Sequence, residues 1–193
     1  MELPGAELSP CVEGFVLVGG RSSRFGSDKA LHEVDGRPMA LHVADALRAH
    51  VSAVTLVGEP QSYRGLGLPV IPDAFPGAGP LGGIVSALQH AASPLCLIAA
   101  CDMPLIAAAP LAPLLAEAAR TGAGAVLPRT PDGRLQPLCA VYARRTRGSL
   151  ADSLLRGERK ILAALANIRW RPLPVDDAIP FSNMNRVSDL DPR

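Results

Sequence analysis

Apolar residues along this chain form two kinds of pattern, short continuous runs and longer stretches with helical spacing. The short runs predict buried strands, at residues 14–18, 53–57, 69–71, 95–100, 124–127, 137–142 and 169–173. The longer stretches predict helices, at residues 38–50, 81–92, 111–120, 148–156 and 160–166. Strands that alternate with helices indicate an α/β fold, with a Rossmann-like, doubly wound and mostly parallel sheet covered on both faces.

The length of 193 residues suits one domain, which we expect to occupy residues 13–193 because no internal repeat or long linker interrupts it. Residues 1–12 are expected to form an N-terminal tail, polar enough to be disordered. Their polar, acidic and Pro-containing sequence differs from that of a signal peptide. No apolar stretch approaches the roughly 20 residues that span a bilayer, so a cytoplasmic protein is expected.

The charge balance excludes two classes of partner. A formal net charge of +1 supplies no bulk attraction to nucleic acid or to a membrane surface.

The four cysteines form no C-x-x-C pair, and three of them lie in apolar runs. Reduced structural thiols are therefore favoured over a redox or ligand role.

The stretch GGRSSRFGSDK follows the first predicted strand directly. Its backbone at Gly19 and Gly20 can approach a phosphate closely, and Arg24 and Lys29 can neutralise the charge on a transferring group. The spacing fits neither the Walker A pattern nor G-x-G-x-x-G. Phosphate binding is favoured over the alternative, a glycine turn with solvated charges.

Two carboxylates follow predicted strands, at the sheet edge where α/β proteins bind ligands. Asp102 ends the run LCLIAAC, and a magnesium ligand is favoured there over a simple turn cap, because Mg²⁺ needs few carboxylates beside phosphates and water. For Asp73 two roles are equally open: it could form part of an ordinary turn, or it could contact the nucleotide or a metal. Gly82, in the loop PGAGPLGGIVSAL, permits a flat ligand such as a base to lie close.

Several motifs in order resemble the MobA-type molybdenum cofactor guanylyltransferases. They are L-V-G-G-x-S-x-R-F-G-x-D-K, V-I-P-D, G-P-L-G-G-I, C-D-M-P, Q-P-L and N-M-N, and the resemblance spans roughly residues 14 to 190. It implies a fold like that of the nucleotide-diphospho-sugar transferases. It also implies transfer of GMP from Mg-GTP to the phosphate of molybdopterin, with release of pyrophosphate.

The resemblance also implies roles for single residues. The backbone of Leu17, Val18 and Gly19 would contact the nucleotide, with Lys29 on its phosphates. Asp73 would lie at the nucleotide and Asp102 would hold magnesium. The chain departs from the family where LVGEP lacks an asparagine found in some members, and where Gln136-Pro137 replaces a His-Pro pair.

The acceptor pocket is expected in the C-terminal third, because the first half is committed to the nucleotide. Its polar candidates are Gln136, Arg159, Lys160, Asn183 and Asn185. An ordinary solvated helix end is an equal alternative for the basic cluster. Turn capping is the alternative for the two asparagines, although amides at i and i+2 can face one pterin together.

Two other functions stay open at this point. A cytidylyltransferase acting on molybdopterin or on a sugar or polyol phosphate would use the same phosphate chemistry. A nucleotide-binding adaptor without turnover would be expected to lose Lys29 or Asp102, and both are present. GTP, the molybdenum cofactor, molybdoenzymes and other cofactor-biosynthesis proteins are the expected partners.

Overall fold

The computed structural model describes residues 11–19 and 28–184, and every strand and helix that the apolar patterns predict has a counterpart there within a few residues. The strands are β1 (Val12–Leu17), β2 (Glu33–Val34), β3 (Arg37–Pro38), β4 (Ala53–Val57), β5 (Val70–Ile71), β6 (Leu95–Ala100), β7 (Ala125–Arg129), β8 (Cys139–Ala143) and β9 (Trp170–Pro174). The α-helices are α1 (Met39–Arg48), α2 (Pro60–Tyr63), α3 (Pro80–His90), α4 (Leu111–Thr121), α5 (Arg147–Leu155) and α6 (Ile161–Leu165).

Seven strands form one mixed sheet in the order β5-β4-β1-β6-β8-β7-β9. Neighbouring strands are parallel except where β8 pairs with β6 and with β7. One apolar cluster packs α1 and α4 on one face, and a second packs α3, α5 and α6 on the other. The predicted α/β sheet, mostly parallel and covered on both faces, is therefore confirmed.

The central strands carry the most deeply buried residues. All six residues of β6 are buried, as the unbroken run LCLIAA predicts for a strand covered on both faces. Cys96, Cys101 and Cys139 are free and buried, whereas Cys11 is free and exposed. Burial raises the pKa of the Cys96 and Cys139 thiols to about 12, so both stay neutral and act as small core side chains.

Several boundaries differ from the prediction by one or a few residues, and two of them concern specific residues. Val12, predicted to lie in the tail, is the first residue of β1, because its buried side chain packs in the core beside Leu95 of β6. Pro38, predicted to begin a helix, ends the short strand β3, which pairs with β2. Within the described residues, no helix is long and apolar enough to cross a membrane.

Candidate active site

The parallel strands β1, β4, β5 and β6 point their carboxyl ends at one edge of the sheet. Asp73 follows β5 by two residues and Asp102 follows β6 by two residues. A backbone hydrogen bond of 3.1 Å from the amide of Cys101 to the carbonyl oxygen of Leu17 extends the pairing of β6 with β1 to this edge. The edge thus carries both carboxylates that the sequence singled out.

Lys29 and Asp102 meet at this edge, although 73 residues separate them. The Lys29 Nζ lies 3.4 Å from Asp102 Oδ2, and the two side chains are 18% and 19% exposed. Asp28 caps the 3₁₀ turn of Lys29–Leu31, since its Oδ1 accepts a 3.0 Å bond from the amide of Ala30. The cation of the predicted phosphate loop and the predicted metal ligand therefore face each other.

The second carboxylate oxygen of Asp102 is predicted to bind a metal, and its surroundings bear on that prediction. Oδ1 is buried, and it has no hydrogen-bond partner within the part of the chain that the structure describes. A buried anionic oxygen without a partner is costly unless a cation or water satisfies it. Groups of three or more His, Cys, Asp or Glu side chains that could hold a metal do not occur among the described residues.

Cys101 lies directly beside this carboxylate, and its thiol is buried. Burial, and then the negative charges of Asp102 and Asp28, raise its pKa far above the ordinary thiol value. A thiol that keeps its proton neither attacks phosphorus nor binds a metal.

The backbone predicted to contact the nucleotide is partly used inside the protein. The amide of Val18 donates to the carbonyl oxygen of Val57 at 3.0 Å, and the carbonyl oxygen of Val18 lies 2.7 Å from the hydroxyl oxygen of Tyr63. Gly19 is exposed just beyond β1, so the predicted contact depends mainly on Gly19 in this segment. Gly20 and Arg24 lie outside the described residues.

Asp73 takes part in a local turn. Its Oδ1 accepts bonds from the amide of Phe75 at 2.9 Å and from the hydroxyl of Ser86 at 2.8 Å. The second oxygen takes part in neither bond. The turn alternative is therefore visible in the structure, and a nucleotide contact through the remaining oxygen stays a prediction.

Gly82 is small for a reason other than the predicted approach of a base. A Cβ atom there would lie 2.9 Å from the carbonyl oxygen of Phe75 and 3.1 Å from the Cβ of Ala78. The buried start of α3 can thus pack against this turn only with glycine at position 82. This packing explains Gly82 without a ligand, and its contact with a nucleotide stays a prediction.

Two acceptor candidates belong to segments that pair with the end of β6 or with Asp102. The amide of Met184 donates a 2.9 Å bond to the backbone carbonyl of Asp102, which brings the preceding Asn183 to the same edge. Gln136 comes just before Leu138, whose carbonyl accepts from the amide of Ala100 at the end of β6. Asn185 lies outside the described residues.

The basic cluster has a visible capping role. Arg159 Nη1 donates a 3.0 Å bond to the carbonyl of Leu154 at the end of α5. Glu158 Oε1 accepts from the amides of Arg159 and Lys160 at 2.8 and 2.7 Å, and these bonds lower the pKa of Glu158. These bonds are the ones expected if the basic cluster simply forms an ordinary helix end. Contacts of Arg159 and Lys160 with the acceptor stay predictions.

Tyr63 and Asp28 are two residues of the site that sequence reasoning missed. Tyr63 Oη lies 2.6 Å from Asp28 Oδ2. An aspartate directly before a short turn is a capping signal that could have identified Asp28. Tyr63 lies in a polar segment after a strand, and nothing in that sequence indicates which groups its hydroxyl contacts.

Comparison with known proteins places this site in a family. A family profile described as the MobA-like NTP transferase domain matches residues 14–168. The chain belongs to this family. A "Probable molybdenum cofactor guanylyltransferase" of Pyrococcus furiosus is 36% identical, covering 93% of this chain and 94% of the relative. A molybdenum cofactor guanylyltransferase of Cupriavidus taiwanensis is 35% identical over the same shares of the two chains.

A solved structure supports the same membership in the MobA-like family. Molybdopterin-guanine dinucleotide biosynthesis protein A from Archaeoglobus fulgidus superposes with a TM-score of 0.76 at 27% identity, covering 92% of this chain and 94% of that one. The resemblance that the motifs suggested is thereby confirmed. As a MobA-like NTP transferase, the chain is a nucleotidyltransferase, and the edge that holds Lys29 and Asp102 is its candidate active site.

Proposed function

We propose that this chain transfers GMP from Mg-GTP to the phosphate of molybdopterin and releases pyrophosphate. The observation that carries the proposal is the pairing of Lys29 with Asp102 at the carboxyl edge of the parallel strands, where the buried Asp102 Oδ1 has no hydrogen-bond partner among residues 11–19 and 28–184. The family membership and the names of the relatives support guanine as the base and the molybdenum cofactor as the acceptor.

In this reaction an oxygen of the acceptor phosphate attacks the α-phosphorus of GTP, a new P–O bond forms, and the bond to the β-phosphate bridging oxygen breaks. Lys29 donates hydrogen bonds to phosphate oxygens and neutralises the charge that grows on the departing pyrophosphate. Arg24 is proposed to assist there. Asp102 would hold Mg²⁺, which supplies charge neutralisation and alignment when bound. No protein nucleophile is needed, so positioning provides most of the rate.

A pyrophosphate-release assay with four nucleoside triphosphates, with and without molybdopterin, tests the function. We expect release with GTP that depends on both molybdopterin and Mg²⁺. Release with CTP instead would identify a cytidylyltransferase. Nucleotide binding without release under any condition would identify an adaptor, and either result would contradict the proposal.

Asn183→Ala tests the acceptor side. We expect the KM for molybdopterin to rise about tenfold, as for loss of a bond to a buried polar group, while the KM for GTP stays at the parent value. Steady-state kinetics with each substrate varied in turn measure the split. Asn167→Ala is the matched control, because Asn167 bonds to Ser153 at 3.1 Å between α5 and α6. A lowered melting temperature with both substrates equally weakened would assign Asn183 to turn capping.

Three expectations belong to the same proposal. They are magnesium as the metal, the cytoplasm as the location, and molybdoenzymes or cofactor-biosynthesis proteins as protein partners. Replacing Mg²⁺ with Ca²⁺ in the release assay tests the choice of metal. A site with one carboxylate does not impose a coordination geometry on the ion, and Ca²⁺ favours longer, looser coordination than Mg²⁺. If Mg²⁺ is the metal, pyrophosphate release should therefore fall with Ca²⁺.

A further inference from the structure

The hydroxyl of Tyr63 lies between the two ends of the predicted phosphate loop. Its oxygen is 2.7 Å from the carbonyl oxygen of Val18, which precedes the loop, and 2.6 Å from Oδ2 of Asp28, which follows it. One hydroxyl therefore contacts two residues that are ten positions apart in the sequence. These contacts join the end of β1 to the turn that carries Lys29.

The ring of Tyr63 is fixed in place by its surroundings. Tyr63 is only 4% exposed. A Cβ atom at Gly58 would lie 2.8 Å from the Tyr63 ring and 2.7 Å from Cγ2 of Val18. Only a glycine at the end of β4 therefore leaves room for this ring beside β1. A ring held this closely keeps its hydroxyl oxygen at a fixed position.

The hydroxyl also keeps its proton. Burial, and then the hydrogen bond and the negative charge of Asp28, raise the pKa of Tyr63 far above the ordinary phenol value. A neutral hydroxyl has one proton to donate, and both oxygen atoms that it faces are acceptors. Donation to the carboxylate gives the stronger, charge-assisted bond. The Asp28 side chain is thus held by Tyr63 through Oδ2 and by Ala30 through Oδ1.

We propose that Tyr63 is a positioning residue for nucleotidyl transfer, acting through Asp28 on Lys29. Both carboxylate oxygens of Asp28 are bonded, and these bonds restrain the start of the turn of Lys29–Leu31, where the Lys29 Nζ lies 3.4 Å from Asp102 Oδ2. The inference rests on the proposed function for its kinetic consequence. The contacts themselves do not depend on which nucleotide binds.

Tyr63→Phe is the test, because it removes one oxygen and keeps the ring. The chain offers a matched control in its other tyrosine, Tyr142, which is also buried and donates a 2.7 Å bond to the carbonyl of Pro137. We expect Tyr63→Phe to lower kcat/KM for GTP by about 10–100-fold, as for groups that orient a ligand-binding side chain. Tyr142→Phe should lower the melting temperature by about as much as Tyr63→Phe does, but it should leave the KM for GTP unchanged.

A double-mutant cycle with Asp28→Asn tests whether the effect passes through Asp28. If Tyr63 acts through this carboxylate, the double variant should lose no more activity than the more impaired single variant. Additive losses would overturn the proposal. So would equal kinetic losses in Tyr63→Phe and Tyr142→Phe, because a general loss of packing would then explain both.

Hydrogen exchange of the Ala30 amide separates this proposal from the proposed function. In the unliganded protein, we expect Tyr63→Phe to accelerate this exchange at least tenfold, and Tyr142→Phe to leave it unchanged. If the parent protein releases no pyrophosphate with any nucleotide, the proposed function fails while the exchange result still decides whether Tyr63 orders this turn. Unchanged exchange in Tyr63→Phe would overturn the positioning role.

Discussion

Asp102→Asn is expected to lower kcat/KM for GTP about a thousandfold, equivalent to ~4 kcal/mol of transition-state stabilisation. The amide keeps the size of the carboxylate but removes the anionic charge that would hold the metal at the end of β6. The melting temperature should change by less than about 3 °C. Two effects on stability oppose each other. The buried Oδ1 no longer carries charge, which favours folding, and Lys29 loses its ionic partner, which disfavours it.

The control for this variant is Asp45→Asn. Asp45 forms ion pairs with Arg37 and Arg48 around α1, so its substitution removes a paired carboxylate elsewhere on the molecule. Pyrophosphate release across a Mg²⁺ titration compares the two variants. Near-normal activity of Asp102→Asn at low Mg²⁺ would show that Asp102 is not the metal ligand.

The sheet could be predicted from the sequence where strands are buried on both faces. β6 is a continuous apolar run, and β1 is apolar from Gly14 onward, as is common where helices cover both sides of a sheet. The direction of β8 could not be predicted in this way. A short apolar run reads the same in either direction, and the antiparallel pairing of β8 depends on how the chain returns to the sheet.

The smallest elements escaped the apolar patterns for a different reason. β2 and β3 have two residues each, too few to show a period. Their turn nevertheless carries a local signal, because Asp35 and Gly36 both have positive φ, of 51° and 73°. Asp-Gly is the pair that such a two-residue hairpin favours. The signal was present in the sequence, and it was overlooked.

The meeting of Lys29 and Asp102 in the candidate site could be predicted, because both follow strands of the parallel sheet. Lys29 and Asp102 are far apart in sequence, but the topology of a parallel sheet brings both to one edge. The bonds of Asp73 to Ser86 and of Tyr63 to Val18 were not predictable. They depend on side-chain conformations between elements, and no spacing in the sequence specifies those.

Lys29→Ala is expected to lower kcat with GTP by about 10²–10³-fold, the usual cost of losing one group that stabilises transition-state charge. The structure also changes the expected effect on stability. From the sequence, Lys29 lies in a polar loop where truncation costs about half a kcal/mol or less. In the fold its side chain is 18% exposed and pairs with Asp102, so truncation leaves a partly buried carboxylate without its cation. We expect a loss of about 1 kcal/mol, or roughly 2–4 °C in melting temperature.

Arg37→Ala is the control, because it removes a cation from the exposed ion pair with Asp45. Chemical labelling adds a direct measurement, since Lys29 and Lys160 are the only lysines in the sequence. If Lys29 contacts the phosphates, Mg-GTP should protect it from an amine-reactive reagent, while Lys160 on its exposed turn stays reactive. Equal labelling with and without Mg-GTP, together with parent-like turnover of Lys29→Ala, would show that Lys29 serves only as the ionic partner of Asp102.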